Sequence, residues 1–298
     1  MVKQVKLTRK RQLWTDSREK NNNVTLKGTE LNHCISSEHR YAKKLERLTQ
    51  LMYEDVKRQI NRFFNSEVSR EHFAQDASIS AQARFLMNKL MRKYNDQFSK
   101  ISPRIARQMI NDVNNVSKSS LFSSIEKLTG GARIKTDFIN DDMKEVMKGA
   151  AQESADLIIT IPRDFLSDVG GYVYRSITQP EFGGIQGIIE RINPLIDERY
   201  RKQHNKARNV AYDQTRKTFN SINAQRMIAV GIHRYEWVHS RAGQRPRKHH
   251  LENLDGRIFS LDKPPIIEPR TGERGIPGQA INCRCTMRPI LGFGDNDD

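Results

Sequence analysis

Residues 36–64 read SSEHRYAKKLERLTQLMYEDVKRQINRFF. Tyr41, Leu45, Leu48, Met52, Val56, Ile60 and Phe63 recur at steps of three and four, while Lys43, Arg47, Glu54 and Arg58 fall between them. That spacing draws one apolar face of a long helix. Ser36 or Ser37 is placed to cap its start, and the Glu38 carboxylate suits the positive end of the helix dipole. The stripe needs a partner, either elsewhere in the chain or in another subunit.

Helical periodicity continues outward from this segment. Phe85, Leu86, Leu90, Tyr94 and Phe98 predict one helix, which Pro103 interrupts. Ile105 to Val116 predicts the next, and Leu121 to Leu128 a third that ends at Gly130-Gly131. A further segment runs from Asp141 to Leu157 and stops before Pro162. Arg163 to Ile177 follows, with Gly170-Gly171 as a hinge or a close packing point. Gly183-Gly184 and Gly187 loosen the chain, and Pro194 opens a long helical stretch closed by Gly231. Beyond Gly231 the period switches. Tyr235, Trp237 and Ile258 lie in short strand-like runs around an Asp255-Gly256 turn. Prolines and glycines between Pro264 and Gly278 mark loops, and Cys283 to Arg288 reads as a last strand. The class is α+β: a mainly helical, elongated N-terminal region with a small α+β C-terminal domain. The expected division is a basic arm over 1–35, a helical body over 36–193 and a C-terminal domain over 194–298.

The 298 residues are 36% hydrophobic and 29% charged, with a net charge of +16. Residues 1–50 hold 12 Lys/Arg against 5 Asp/Glu, and residues 201–298 hold 18 against 10. Residues 51–200 are nearly balanced, at 21 against 20. Basic ends attract polyanions, nucleic acid above all, and lose that attraction as salt rises. Solubility, or pairing with an acidic protein face, would account for the same charge. No apolar run approaches a membrane span, and no apolar stretch follows the basic N-terminus, so neither a span nor a signal peptide is expected. Three cysteines suit a reducing compartment.

The chemistry-bearing residues cluster between Trp237 and Cys285. Cys283, Cys285, His250 and His249 are the candidate metal ligands, with zinc as the expected ion. Alternate cysteines on a strand share one face, but they would equally serve as small half-buried side chains, with the histidines as hydrogen-bonding caps. A disulfide between such near neighbours is geometrically tight. His249, His250, Asn253 and Asp255 raise a nuclease, but the spacing does not build a ββα metal site. No nucleophile elbow, phosphate-binding loop or metalloprotease helix is present, and no catalytic residue is expected. Cys34 reads as incidental. Arg9, Lys10 and Arg11, with Arg245, Arg247 and Lys248, are the candidate contacts to DNA phosphates.

From Ala207 to Ile290 the chain resembles the C-terminal domain of phage Mu F-like head morphogenesis proteins, also called minor head or minor capsid proteins. The matching order is Asn223 and Arg226 on a helix, Gly231, Tyr235-Glu236-Trp237, Arg247 with a histidine, and Asp255-Gly256. Pro277-Gly278 and Asn282-Cys283-Arg284-Cys285 complete it. Of the two adjacent histidines, His250 is favoured for the family position. The Ser240-Arg241-Ala242-Gly243 run departs from the pattern, where an acidic residue is expected. The resemblance implies non-enzymatic work in a virion, near the portal vertex inside the capsid, with the host cytoplasm as the place of assembly. The implied partners are the portal protein, a scaffold or major capsid protein and packaged double-stranded DNA. The implied roles are head assembly, genome packaging and genome ejection. The alternative is a metal-dependent nuclease or other DNA-acting enzyme carried on such a domain.

Overall fold

The computed structural model describes residues 24–65, 78–126, 139–178, 184–241 and 246–293. Arg9, Lys10, Arg11 and Arg245 lie outside these residues, as do Gly130-Gly131 and Gly183. Four long helices carry most of the chain: α1 (Ile35–Asn65), α2 (Ile79–Glu126), α3 (Asp141–Thr178) and α4 (Gly184–Ala229).

Side-chain pairs fix how the helices run. Arg40 meets Asp112 and Lys93 meets Asp55, so α1 and α2 are antiparallel. Met87 of α2 packs at Gly170 of α3. Glu153 pairs with Lys217, and Tyr172 with Arg199, between α3 and α4. Glu46 pairs with Arg208, and Asp197 with Lys57, between α4 and α1. The result is an up-down-up-down bundle with α1 diagonal to α3.

Helix α1 follows its sequence pattern. Leu45, Met52 and Val56 are fully buried, with Tyr41 and Ile60 beside them. The stripe finds its partner inside the chain, against α4, and is core rather than a docking face. Phe64 is buried and Phe63 only partly so. The helix starts at Ile35, ahead of both serines, with the Cys34 carbonyl accepting from the Ser37 and Glu38 N–H groups, so neither serine is the cap. Helix α3 has a side-chain cap, where Asn140 Oδ1 accepts from the Met143 N–H at 2.9 Å.

The prolines do not end the helices. Pro103, Pro162 and Pro194 all lie inside continuous ones. Each removes a backbone bond, at a cost of about 3 kcal/mol in an isolated helix. Pro162 is itself buried and Pro103 and Pro194 face outward, but each lies between buried apolar residues of its helix: Phe98 and Ile105, Ile161 and Phe165, Ile192 and Ile196. Tertiary burial on that scale outweighs the local defect.

The strands form a four-stranded antiparallel sheet in the order β1-β6-β2-β3, from β1 (Val24–Lys27), β2 (Arg234–Val238), β3 (Ile258–Ser260) and β6 (Thr286–Phe293). Strands β4 (Ile266–Glu268) and β5 (Glu273–Arg274) make a separate ribbon. Residues 24–34, within the stretch read as an arm, join the fold. Strand β1 pairs with the start of the C-terminal tail, and Leu31 is fully buried, with its N–H donating to the Met287 carbonyl at 3.1 Å. Glu236 on β2 accepts from Lys27 of β1 and Arg288 of β6, so one buried carboxylate ties three strands.

Candidate metal centre

The C-terminal domain gathers its chemistry by bringing a helical turn against a loop. His250 opens a π-helical turn, His250–Leu254, between β2 and β3. Cys283 and Cys285 lie on the loop that leads into β6. That loop is seated on α4. The Asn282 N–H donates to Asp213 Oδ1 at 2.8 Å, and the Cys283 N–H to the Ala280 carbonyl at 2.9 Å. Asn282 has a φ of 59°, a left-handed conformation that asparagine tolerates well.

His250 Nδ1 lies 3.6 Å from Cys283 Sγ and 3.7 Å from Cys285 Sγ. The three donor atoms are all within 4.8 Å of one another. A tetrahedral zinc with ordinary Zn–N and Zn–S bonds sets its N···S edges at about 3.6 Å. The separations therefore fit the ion. The other imidazole nitrogen, Nε2, faces the Ile267 carbonyl at 3.0 Å. That oxygen accepts, so Nε2 carries the proton and Nδ1 offers a lone pair to the sulfurs. The cluster is buried, with 1% of His250, 4% of Cys283 and 3% of Cys285 exposed. The Trp237 ring, fully buried, meets the His250 ring edge-on at 5.2 Å.

The two thiols act on each other. The hydrogen bond from Cys285, aided by the Gly278 N–H, outweighs burial and pulls Cys283 well below the ordinary thiol range. The same bond, with burial added, pushes Cys285 upward. One thiolate is thus favoured even without an ion, and a cation would favour both. A bound ion would tie the helical turn to the loop before β6 through these three buried side chains.

The other expected site residues fall elsewhere. His249 is not part of the cluster: its Nε2 faces the Ile266 carbonyl at 2.8 Å and its Nδ1 faces Asn253 at 3.0 Å. Asp255 accepts from the His239 N–H and pairs with Arg241, so His249, Asn253 and Asp255 do not converge with His250 on one open site. Arg247 pairs with Glu268 at 2.9 Å and donates to the Ile281 carbonyl at 3.0 Å, so it clasps the metal loop. Lys248 is exposed. All three cysteines are free thiols; Cys34 is buried, and burial pushes it up to about 12. The sequence reading missed Asp213 and Asn220, which seat the loop. Their signal was a shared helix face: Asp213, Arg216 and Asn220 stand three and four residues apart.

No curated protein and no solved structure matches the chain. One family description does, and it covers the end of the chain that holds helix α4, the seated loop and all three metal-competent side chains. Residues 183–288 match the family described as "Phage Mu protein F like protein", and this part of the chain is a phage Mu F-like domain.

Proposed function

We propose that the protein is a non-enzymatic phage minor head protein. In this reading it sits inside the capsid at the portal vertex, bound to the portal and to scaffold or major capsid protein, and it assists head assembly and genome packaging or delivery. The Mu F-like match over 183–288 carries the reading. Burial of the His250, Cys283 and Cys285 cluster supports its non-enzymatic half, because a hydrolytic metal must meet its substrate. Among the described residues no helix is long and apolar enough to cross a membrane.

The helical body over 36–193 is the part that docks on capsid proteins, and the domain over 194–298 is the family module. Arg9, Lys10, Arg11, Arg245 and Lys248 remain the proposed phosphate contacts of the basic ends, and Arg247 would reach DNA only by leaving Glu268. Fractionation of virions and capsid-assembly intermediates, followed by mass spectrometry, tests the reading. The chain is expected in both, at a few copies per particle. Its absence from both would remove the assembly role.

A further inference from the structure

The near-balance of residues 51–200 sums unlike helices, and α1, four of whose cations precede residue 51, adds to the basic side. Helix α3 carries seven Asp/Glu against four Lys/Arg. Helix α2 carries eight Lys/Arg against three Asp/Glu, and α1 carries seven against four. Helix α3 lies diagonal to α1 and packs against α2 on its inner side, at Met87 and Gly170, while α4 carries nine Lys/Arg against four Asp/Glu, so the acidic excess is confined to α3. The body is polarised rather than neutral.

The cations are also ordered. Arg40, Lys43, Lys44, Arg47, Arg58 and Arg62 fall within an arc of about 100° on α1, taking about 100° per residue. Lys89, Lys93, Lys100, Arg104 and Arg107 fall within about 60° on α2. The two rows flank one seam, because Lys44 donates to Gln108, Arg40 pairs with Asp112 and Lys93 pairs with Asp55 across it. The acids on this side are Glu54, Asp55, Asp96 and Asp112, the last three already in ion pairs. Lys43, Arg62, Lys89, Arg104 and Arg107 are exposed and have no ion-pair partner among the described residues.

We propose that the outer side of the α1–α2 pair is a second, sequence-independent binding surface for duplex DNA, distinct from the basic ends; its setting inside a capsid rests on the head-protein reading. Each row is about 30 Å long, which matches about nine phosphate steps of one DNA strand. Two nearly straight parallel rows of like charge suit a stiff, uniformly charged rod, and lysine and arginine heads on helices contact phosphates without reading bases. No hydrogen-bonding pattern suited to base edges is needed, and beside the rows one aromatic ring, Phe85, is strongly exposed, whereas a single strand would stack its bases on several.

The test uses the full chain and a 20-base-pair duplex of arbitrary sequence, with affinity measured by fluorescence anisotropy across a salt series. A Lys89→Gln, Arg104→Gln, Arg107→Gln variant changes three exposed side chains and should fold as the parent does, which circular dichroism checks. It is expected to bind at least about tenfold more weakly at 0.15 M salt, with a log–log salt slope smaller by about 2.7. A Lys144→Gln, Lys148→Gln, Arg163→Gln control removes the same charge from α3 and should bind within about twofold of the parent. Equal losses in both variants would mean that only net charge matters, and would overturn the surface. Retention of polyglutamate but not duplex would overturn it in favour of an acidic protein face. Virion mass spectrometry is independent of these measurements, so loss of the surface leaves the head-protein reading standing, and the reverse.

Discussion

Helix α1 runs 31 residues and α2 runs 48, each with an apolar face buried for most of its length, whereas β3 and β4 run three residues and β5 two. In the bundle, side chains such as Leu45, Met52 and Phe165 are removed from water on several neighbours at once. That is enough to carry three prolines through helix interiors. Strands of two or three residues bury too little to hold a domain alone. The C-terminal region has a small apolar core, with Tyr235, Trp237, Met287 and Ile290 buried, and sets polar and sulfur groups into it: His250, Cys283, Cys285, Glu236 and Thr286 are all buried too. The bundle rests on apolar area along whole helices and the C-terminal region on a smaller apolar core tied by specific bonds, so the two should respond differently to the same insults.

Metal removal separates them most sharply. Purified protein is expected to hold about one zinc per chain by elemental analysis. Chelation, or a His250→Ala substitution, should disorder the surroundings of Trp237 while the far-ultraviolet helical signal persists. The loss is on the order of 5 kcal/mol, confined to the C-terminal domain. Near-ultraviolet circular dichroism in a Trp14→Phe background reads it. An apo protein with unchanged Trp237 signal and melting would show that the sheets hold without an ion. Cys34→Ala should leave the zinc content unchanged, since Cys34 lies on the α1 side, near Thr215.

The bundle has comparable polar commitments, of which the most buried ion pair among the described residues joins α4 to α1. Arg216 of α4 grips Glu38 of α1 through two hydrogen bonds, at 3.0 and 2.8 Å, with 13% and 5% of the two side chains exposed. Glu38→Ala leaves a buried guanidinium unpaired and should cost about 3–5 kcal/mol in thermal or urea unfolding. Unlike chelation, it should lower the helical and Trp237 transitions together, because Arg216 also borders the loop at Gly278. Separate transitions would mean that the two regions are less coupled than the shared helix implies.

Acid should weaken the bundle through Asp55. Burial alone would raise this carboxyl, but hydrogen bonds from Lys93, Tyr94, Arg58 and Gln59 outweigh it and hold Asp55 well below the ordinary carboxylate range. A carboxylate depressed in the folded state stabilises above its unfolded value, near 4, and that contribution fades as pH falls below it toward the folded value. Stability should therefore drop by about 2–3 kcal/mol between pH 5 and strongly acidic solution, as seen in urea titrations. Asp55→Asn should be less stable at pH 7 and should flatten that dependence. An identical acid profile in the variant would locate the sensitivity in other carboxylates.

How much of this was legible depends on the range of the interaction. The α1 stripe from Tyr41 to Ile60 is local and periodic, so the sequence displays it directly. The helix breaks expected at Pro103 and Pro162, and the helix start expected at Pro194, were local inferences overruled by burial from distant helices. Strand β1 was not expected at all, because four residues have no strand signature until Val24–Lys27 meets residues 290–293 at the other end of the chain. At the metal centre, the resemblance favoured His250 for the family position, but both histidines stood as candidate ligands. The carbonyls of Ile266 and Ile267, contributed by β4, decide between them. The Asn-Cys-x-Cys order was visible, but its seat on Asp213 was not.

Gly278 tests that seat, with the smallest effect of the four. Its φ is +84°, where an L side chain is strained, and an added Cβ would meet Asn220 Nδ2 at 2.6 Å and the Arg216 carbonyl at 3.2 Å. The Asn220 amide can swing away, but the α4 backbone carbonyl cannot. Gly278→Ala should therefore cost about 1–2 kcal/mol and lift the loop from the helix. Because the Gly278 N–H serves Cys283, the same change should weaken zinc retention against a competing chelator more than it lowers the helical melting temperature. If bundle stability fell and zinc retention did not, the loop would be positioned by the ion itself, with α4 merely beneath it.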